Sequence, residues 1–103
     1  MIKVSGYYPN LDGKMFDMDY YCNKHVALAK ELLGDSLKKV DVEGGLAGGA
    51  PDSPATYIAV GSLYFESIES FQNAFNPVVE KLMADVPNYT NIEPIIQISE
   101  VRL

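Results

Sequence analysis

Few side chains in this sequence can do chemistry, and that scarcity narrows the field. The chain has one histidine, His25, one cysteine, Cys22, and no tryptophan. At about 100° per residue, Tyr21, His25, Leu28 and Leu32 fall on one narrow arc of a helix expected over residues 17–33. Leu or Met would be ordinary at the place His25 holds. An imidazole there could act as a general acid or base, because its charge changes near neutral pH. The plainer alternative is a core histidine donating to a main-chain carbonyl. On its own face only Tyr21 is a competent partner, so a group from the sheet, or a substrate, is expected to meet it.

Tyrosines are the second resource. There are seven, each with a flat apolar body and a hydroxyl tip. Tyr7 and Tyr64, if inward-facing, would line a pocket with His25 and hold an aromatic or ether-like molecule. For any one of them ordinary sheet and interface packing is the better account; it is their number together that suggests a pocket.

Other chemistries fit poorly. The glycines of Gly44-Gly45-Leu46-Ala47-Gly48-Gly49 miss the G-x-G-x-x-G spacing, and no Lys-Ser/Thr follows for a Walker loop. Asp17, Asp19, Cys22 and His25 are loosely spaced for a metal. A structural zinc wants four Cys or His ligands and the chain has two. Cys22 lies about 60° from His25 around the helix, with no activating cation beyond Lys24. No metal or cofactor is expected. One axial histidine is enough for haem, so that group alone stays open.

The elements that position these residues follow from pattern. Residues 2–8 alternate as a strand. The helix over 17–33 has Asp17 as N-cap, a Phe16–Tyr21 staple, and Gly34 just past its end. A charged edge strand is expected within 37–46, a glycine- and proline-rich connector over 44–54, and an apolar strand over 55–65. A second helix over 67–86, capped by Ser67, should break at Asn76–Pro77, with Asn76 recapping its second half. Residues 87–91 turn the chain into a last strand over 92–102.

The expected class is α+β: a single domain, 1–103, with the ferredoxin-like order β-α-β-β-α-β, a four-stranded antiparallel sheet and two helices on one face. The other face should then be polar. Yet strand 55–65 offers Ile58, Val60 and Tyr64 to one side and Tyr57, Ala59, Leu63 and Phe65 to the other, and the last strand puts Ile95 and Val101 opposite Ile96 and Ile98. A homodimer closing over that open sheet face is the expected partner.

Eight Lys and Arg against fourteen Asp and Glu give a net charge of −6. That balance disfavours nucleic acid and anionic membranes as partners, and no apolar run is long enough to span a bilayer. The N-terminus reads as a strand, not a signal peptide. With a single cysteine, a cytoplasmic location is expected.

The stretch Phe16-Asp17-Met18-Asp19-Tyr20-Tyr21-Cys22-Asn23-Lys24-His25-Val26-Ala27-Leu28 resembles the FDxxYYxxKHxPL signature of the EthD family, small dimeric α+β-barrel proteins named for ethyl tert-butyl ether degradation. Residues 45–51, Leu63-Tyr64-Phe65 with Phe71 and Phe75, and residues 84–94 match the same family, so the resemblance spans essentially the whole chain. Ala27 stands where the signature has proline. The resemblance implies a ferredoxin-like subunit in a dimeric barrel and marks Tyr21, Lys24 and His25, with Asn88, Tyr89 and Asn91 as a second cluster. It also implies an oxidoreductase-type or catabolic role. Relatives of the fold include cofactor-independent monooxygenases and isomerases, so fold alone does not choose the reaction.

The expectation is a small enzyme acting on a hydrophobic, aromatic or ether-derived metabolite. His25 would be catalytic, and Tyr7, Tyr21, Tyr64, Asn88, Tyr89 and Asn91 would bind, under a lid at 44–54. The alternative is a non-catalytic carrier of a small ligand, or an accessory subunit of an oxygenase system.

Overall fold

The computed structural model describes all 103 residues. Four strands, β1 (Ile2–Pro9), β2 (Lys39–Gly44), β3 (Tyr57–Phe65) and β4 (Ile95–Glu100), form one sheet in the order β2-β3-β1-β4. Every neighbouring pair is antiparallel. Between β1 and β2 run α1 (Met18–Tyr20), a π-helical turn (Tyr21–His25), α2 (Val26–Leu33) and a 3₁₀ turn (Gly34–Ser36). Between β3 and β4 run α3 (Ile68–Phe75), α4 (Val79–Asp85) and a 3₁₀ turn (Val86–Asn88). This is the expected ferredoxin-like order, with the helices on one face.

Local chemistry explains the element ends. The Asp17 carboxylate accepts from the Tyr20 amide at 3.0 Å and starts the first helix. The Phe16 and Tyr21 rings lie 5.2 Å apart, closing the staple. Gly34, with φ +59, takes the left-handed position that ends it. Pro77 does break the second helix. Asn76, expected to recap its second half, instead closes α3, and Val78 heads α4 without a side-chain hydrogen bond.

The helix-side core falls into two clusters. One joins Tyr8, Tyr21, Ala59, Tyr89 and Ile92; the other joins Ala29, Leu33, Phe65 and Leu82. A glycine pair shapes the first. Gly6 and Gly61 stand opposite each other across β1 and β3, leaving a dent over which the Tyr21 hydroxyl sits, against Gly61.

The open face differs from its expected greasy character. In register across the sheet run Gln97, Ser5, Ser62 and Asp41, one residue per strand. Ser5 and Ser62 are buried and share a hydrogen bond of 3.0 Å. The Tyr64 hydroxyl donates to Asp41 at 2.7 Å, and the Lys39 ammonium lies 5.1 Å from the Tyr64 ring centroid. Ile58, expected to share a face with Val60 and Tyr64, packs instead into the tyrosine cluster. Tyr57, expected to share a face with Ala59, Leu63 and Phe65, meets the Tyr7 ring at 5.2 Å. A register shift beside Tyr8 and Pro9 causes both reversals, because one extra residue flips the alternation.

The unsatisfied apolar surface sits at the β4 edge instead. Ile95, Ile96 and Ile98 are 54%, 60% and 44% exposed. Ile96 and Ile98 pair with Gly6 and Val4, on the helix side, but the helices do not reach over them.

Candidate functional site

The site is built by the one stretch of π-helix. There the Val26 amide reaches back to the Tyr21 carbonyl, a five-residue span that widens the turn. The rings of Tyr21 and His25, at the two ends of this turn, stack at 5.5 Å and 17°. The Tyr89 ring approaches the imidazole at 4.7 Å from the chain beyond α4.

His25 does not bond to a main-chain carbonyl or to the sheet. Its Nδ1 lies 2.8 Å from Oδ2 of Asp85, the last residue of α4. The other carboxylate oxygen, Oδ1, accepts from the Tyr20 hydroxyl at 2.7 Å and from the Asn88 amide at 2.9 Å. The His25 and Asp85 side chains are only 13% and 14% exposed, so the pair is largely shielded from water.

Burial works to raise the Asp85 carboxyl. Hydrogen bonds from Tyr20, Asn88 and His25, with the charge His25 can carry, outweigh it and hold the group below its ordinary value. An ionised carboxylate can only accept, so Nδ1 of His25 carries the hydrogen. In the neutral ring Nε2 then holds the lone pair, the state a general base needs.

Beside this pair three phenols meet. The Tyr8 and Tyr89 hydroxyls share a hydrogen bond of 2.8 Å, and the Tyr8 and Tyr21 rings lie edge to face at 5.9 Å. Burial, above all, pushes Tyr89 up to about 12 and raises Tyr8 and Tyr21 further. All three stay neutral donors at any physiological pH.

Of the residues expected to form the site, the fold brings Tyr21 and Tyr89 to His25, and Asn88 to its partner Asp85. It does not bring Tyr7 and Tyr64, which stand on the open face of the sheet. Asn91 is used elsewhere: its side-chain oxygen accepts from the Met15 amide at 2.9 Å and pins the loop before the first helix. Lys24 and Cys22 point to solvent. Residues 44–54 do not cover the imidazole. The loop edges a cleft of its own, about 270 Å³, with Glu43, Thr56, Tyr57 and Val60. A second cleft of about 220 Å³ lies beside Lys30, Lys38 and Lys39.

Asp85 and Tyr20 were not legible as site residues. One signal pointed to Asp85: an acid in the last turn of a helix opposes the helix dipole, so another contact must hold it there. The linkage yields a prediction. Because its folded value is depressed, the stability Asp85 contributes is intact well above 3.8, its ordinary value. It is lost as pH falls through that value toward the depressed one. Between pH 6 and pH 3 the melting temperature of Asp85→Asn is therefore expected to fall less than that of wild type. Parallel loss in both proteins would show that the carboxylate does not hold the helices together.

Residues 11–93 match the family model described as the EthD domain. The chain belongs to the EthD family. Among solved structures, an EthD-like protein from Ralstonia eutropha JMP134 superposes with a TM-score of 0.94 at 38% identity, covering 99% of this chain and 92% of that one. An ethyl tert-butyl ether degradation (EthD) family protein from Bacillus halodurans C-125 gives 0.67 at 18% identity, covering 99% of each. HapK from Hahella chejuensis gives 0.61 at 14%, covering 99% and 93%. The last two speak for the fold alone. No curated protein matches this EthD-family chain in sequence.

Proposed function

We propose that this EthD-family protein is a small cytoplasmic homodimeric enzyme. It moves a proton on a hydrophobic, aromatic or ether-derived metabolite, with His25 as general base. The observation that carries this reading is the Asp85 carboxylate 2.8 Å from Nδ1 of His25. A histidine kept only for packing needs a hydrogen-bond partner but not a charged one. One held by an ionised carboxylate is oriented and fixed in one tautomer, with Nε2 left free to accept. Nε2 would accept the substrate proton, the imidazolium would rest against Asp85, and the neutral Tyr21 and Tyr89 rings would form the walls.

Dimerisation rests on shape. The accessible surface is 6681 Å², whereas a monomer of this mass is expected to show about 5,700 Å². The subunit is a slab, 42 × 33 × 19 Å, and only 13 of 103 residues are buried. A second copy across the open face and the β4 edge would cover the excess.

One observation favours the second reading, a carrier or accessory subunit: His25 lines neither the cleft beside residues 44–54 nor the one beside Lys30. A binding and turnover panel of aromatic and oxygenated hydrocarbons separates the two, using wild type and His25→Ala, with absorbance recorded for haem. The enzyme reading expects turnover to fall by about 10²–10⁴-fold in the variant. Equal binding by both proteins with no turnover in either would remove His25 from the chemistry and leave the carrier.

A further inference from the structure

The two oxygens of Asp85 keep different company. Oδ2 faces the imidazole, while Oδ1 is pinned from two sides, by Tyr20 ahead of the π-helical turn and by Asn88 in the turn after α4. Neither donor bonds to His25. We infer that Tyr20 and Asn88 are positioning residues for His25 that act through Asp85, fixing the direction of its ring and setting the pH at which it takes a proton. This deepens the reading of His25 as a base and rests on it.

The electrostatics give a sign. One negative charge is shared between two oxygens. Donors on Oδ1 draw that charge toward themselves and weaken the field that Oδ2 presents to an imidazolium. Removing a donor returns charge to Oδ2, stabilises the protonated ring and raises its titration midpoint. The other titratable groups facing the imidazole are the phenols of Tyr21, on its own helix, and Tyr89, beyond α4. Tyr8 of β1 stands behind them. Burial raises all three, so they bring no charge across the range where a histidine titrates. Lys24, next in the chain, is exposed. Asp85 is thus the route by which either donor reaches His25.

Because the chain holds one histidine, its ring protons can be followed by NMR without ambiguity, and no substrate is needed. The midpoint would be measured in wild type, Tyr20→Phe and Asn88→Ala, and again with each variant combined with Asp85→Asn. The expected result is an upward shift of about half a pH unit in each single variant, vanishing in the Asp85→Asn background. A purely structural role would not produce that cancellation. Asn88 is exposed, so its variant keeps the test open even where Tyr20→Phe loses stability. An unmoved midpoint in folded single variants would overturn the proposal, and so would a shift that survives Asp85→Asn. Neither result bears on the proton-transfer reading itself, which stands or falls on the turnover of His25→Ala.

Discussion

Gly61→Ala is expected to cost about 1–3 kcal/mol and to push Tyr21 away from His25, although it adds a single methyl to a strand. A Cβ at Gly61 would overlap the Tyr21 hydroxyl and stand 2.9 Å from the ring carbon that bears it. Tyr21 has no easy retreat, since its ring is wedged between Phe16 at 5.2 Å and Tyr89 at 4.8 Å. Packed interiors transmit such a displacement to their neighbours, and the nearest is the stacked imidazole. The matched control is Gly6→Ala, across the same strand pair. There the new methyl would meet Ile96 at 3.5 Å and Tyr8 at 3.6 Å, both ordinary contacts. At about 4–8 °C per kcal/mol for a domain of this size, thermal melts should separate the two variants clearly. Tyr21→Phe, which removes the offending oxygen, should recover part of the loss in the Gly61→Ala background. Equal melting temperatures for Gly61→Ala and Gly6→Ala would mean that the sheet yields at Gly61 and that the dent does not position Tyr21.

Replacing Ile95 and Ile98 together with lysine is expected to halve the mass of the protein in solution, from twice 11.3 kDa to 11.3 kDa. Both residues already meet water in the isolated subunit, so the fold should survive. The two sit on opposite sides of β4, Ile95 opposite Tyr7 on the open face and Ile98 opposite Val4 on the helix side. Stable interfaces cover roughly 800 Å² per partner, close to the surplus surface of this subunit. Burying two ammonium groups there should weaken association on the order of a hundredfold or more. Light scattering at micromolar concentration decides it. A wild-type protein that runs at the single-chain mass would end the homodimer proposal. A variant that stays dimeric would move the interface away from β4.

Short-range chemistry made much of this protein readable in advance. Alternation in residues 2–8, the Asp17 cap, the Phe16–Tyr21 staple, Gly34 past the helix end and the break at Pro77 depend on neighbours within a turn or two. All were legible, and with them the order of the elements. The single histidine on an apolar arc was visible for the same reason. What the arc could not reveal was the partner. Asp85 lies 60 residues further along the chain, and it meets His25 where the end of α4 packs beside the π-helical turn. Hydrogen bonding along a helix depends on packing as well as on sequence, so that wider turn left no periodic mark. Face assignments failed where the register shift beside Tyr8 and Pro9 reversed the alternation, moving Ile58 into the core and leaving Tyr57 with Tyr7. Tyr7 and Tyr64 were misplaced for a simpler reason: alternation says which residues share a face of a strand, and only the tertiary packing says which face the helices cover. Local sequence thus determined which groups are available. Contacts between residues distant in sequence decided which of them meet.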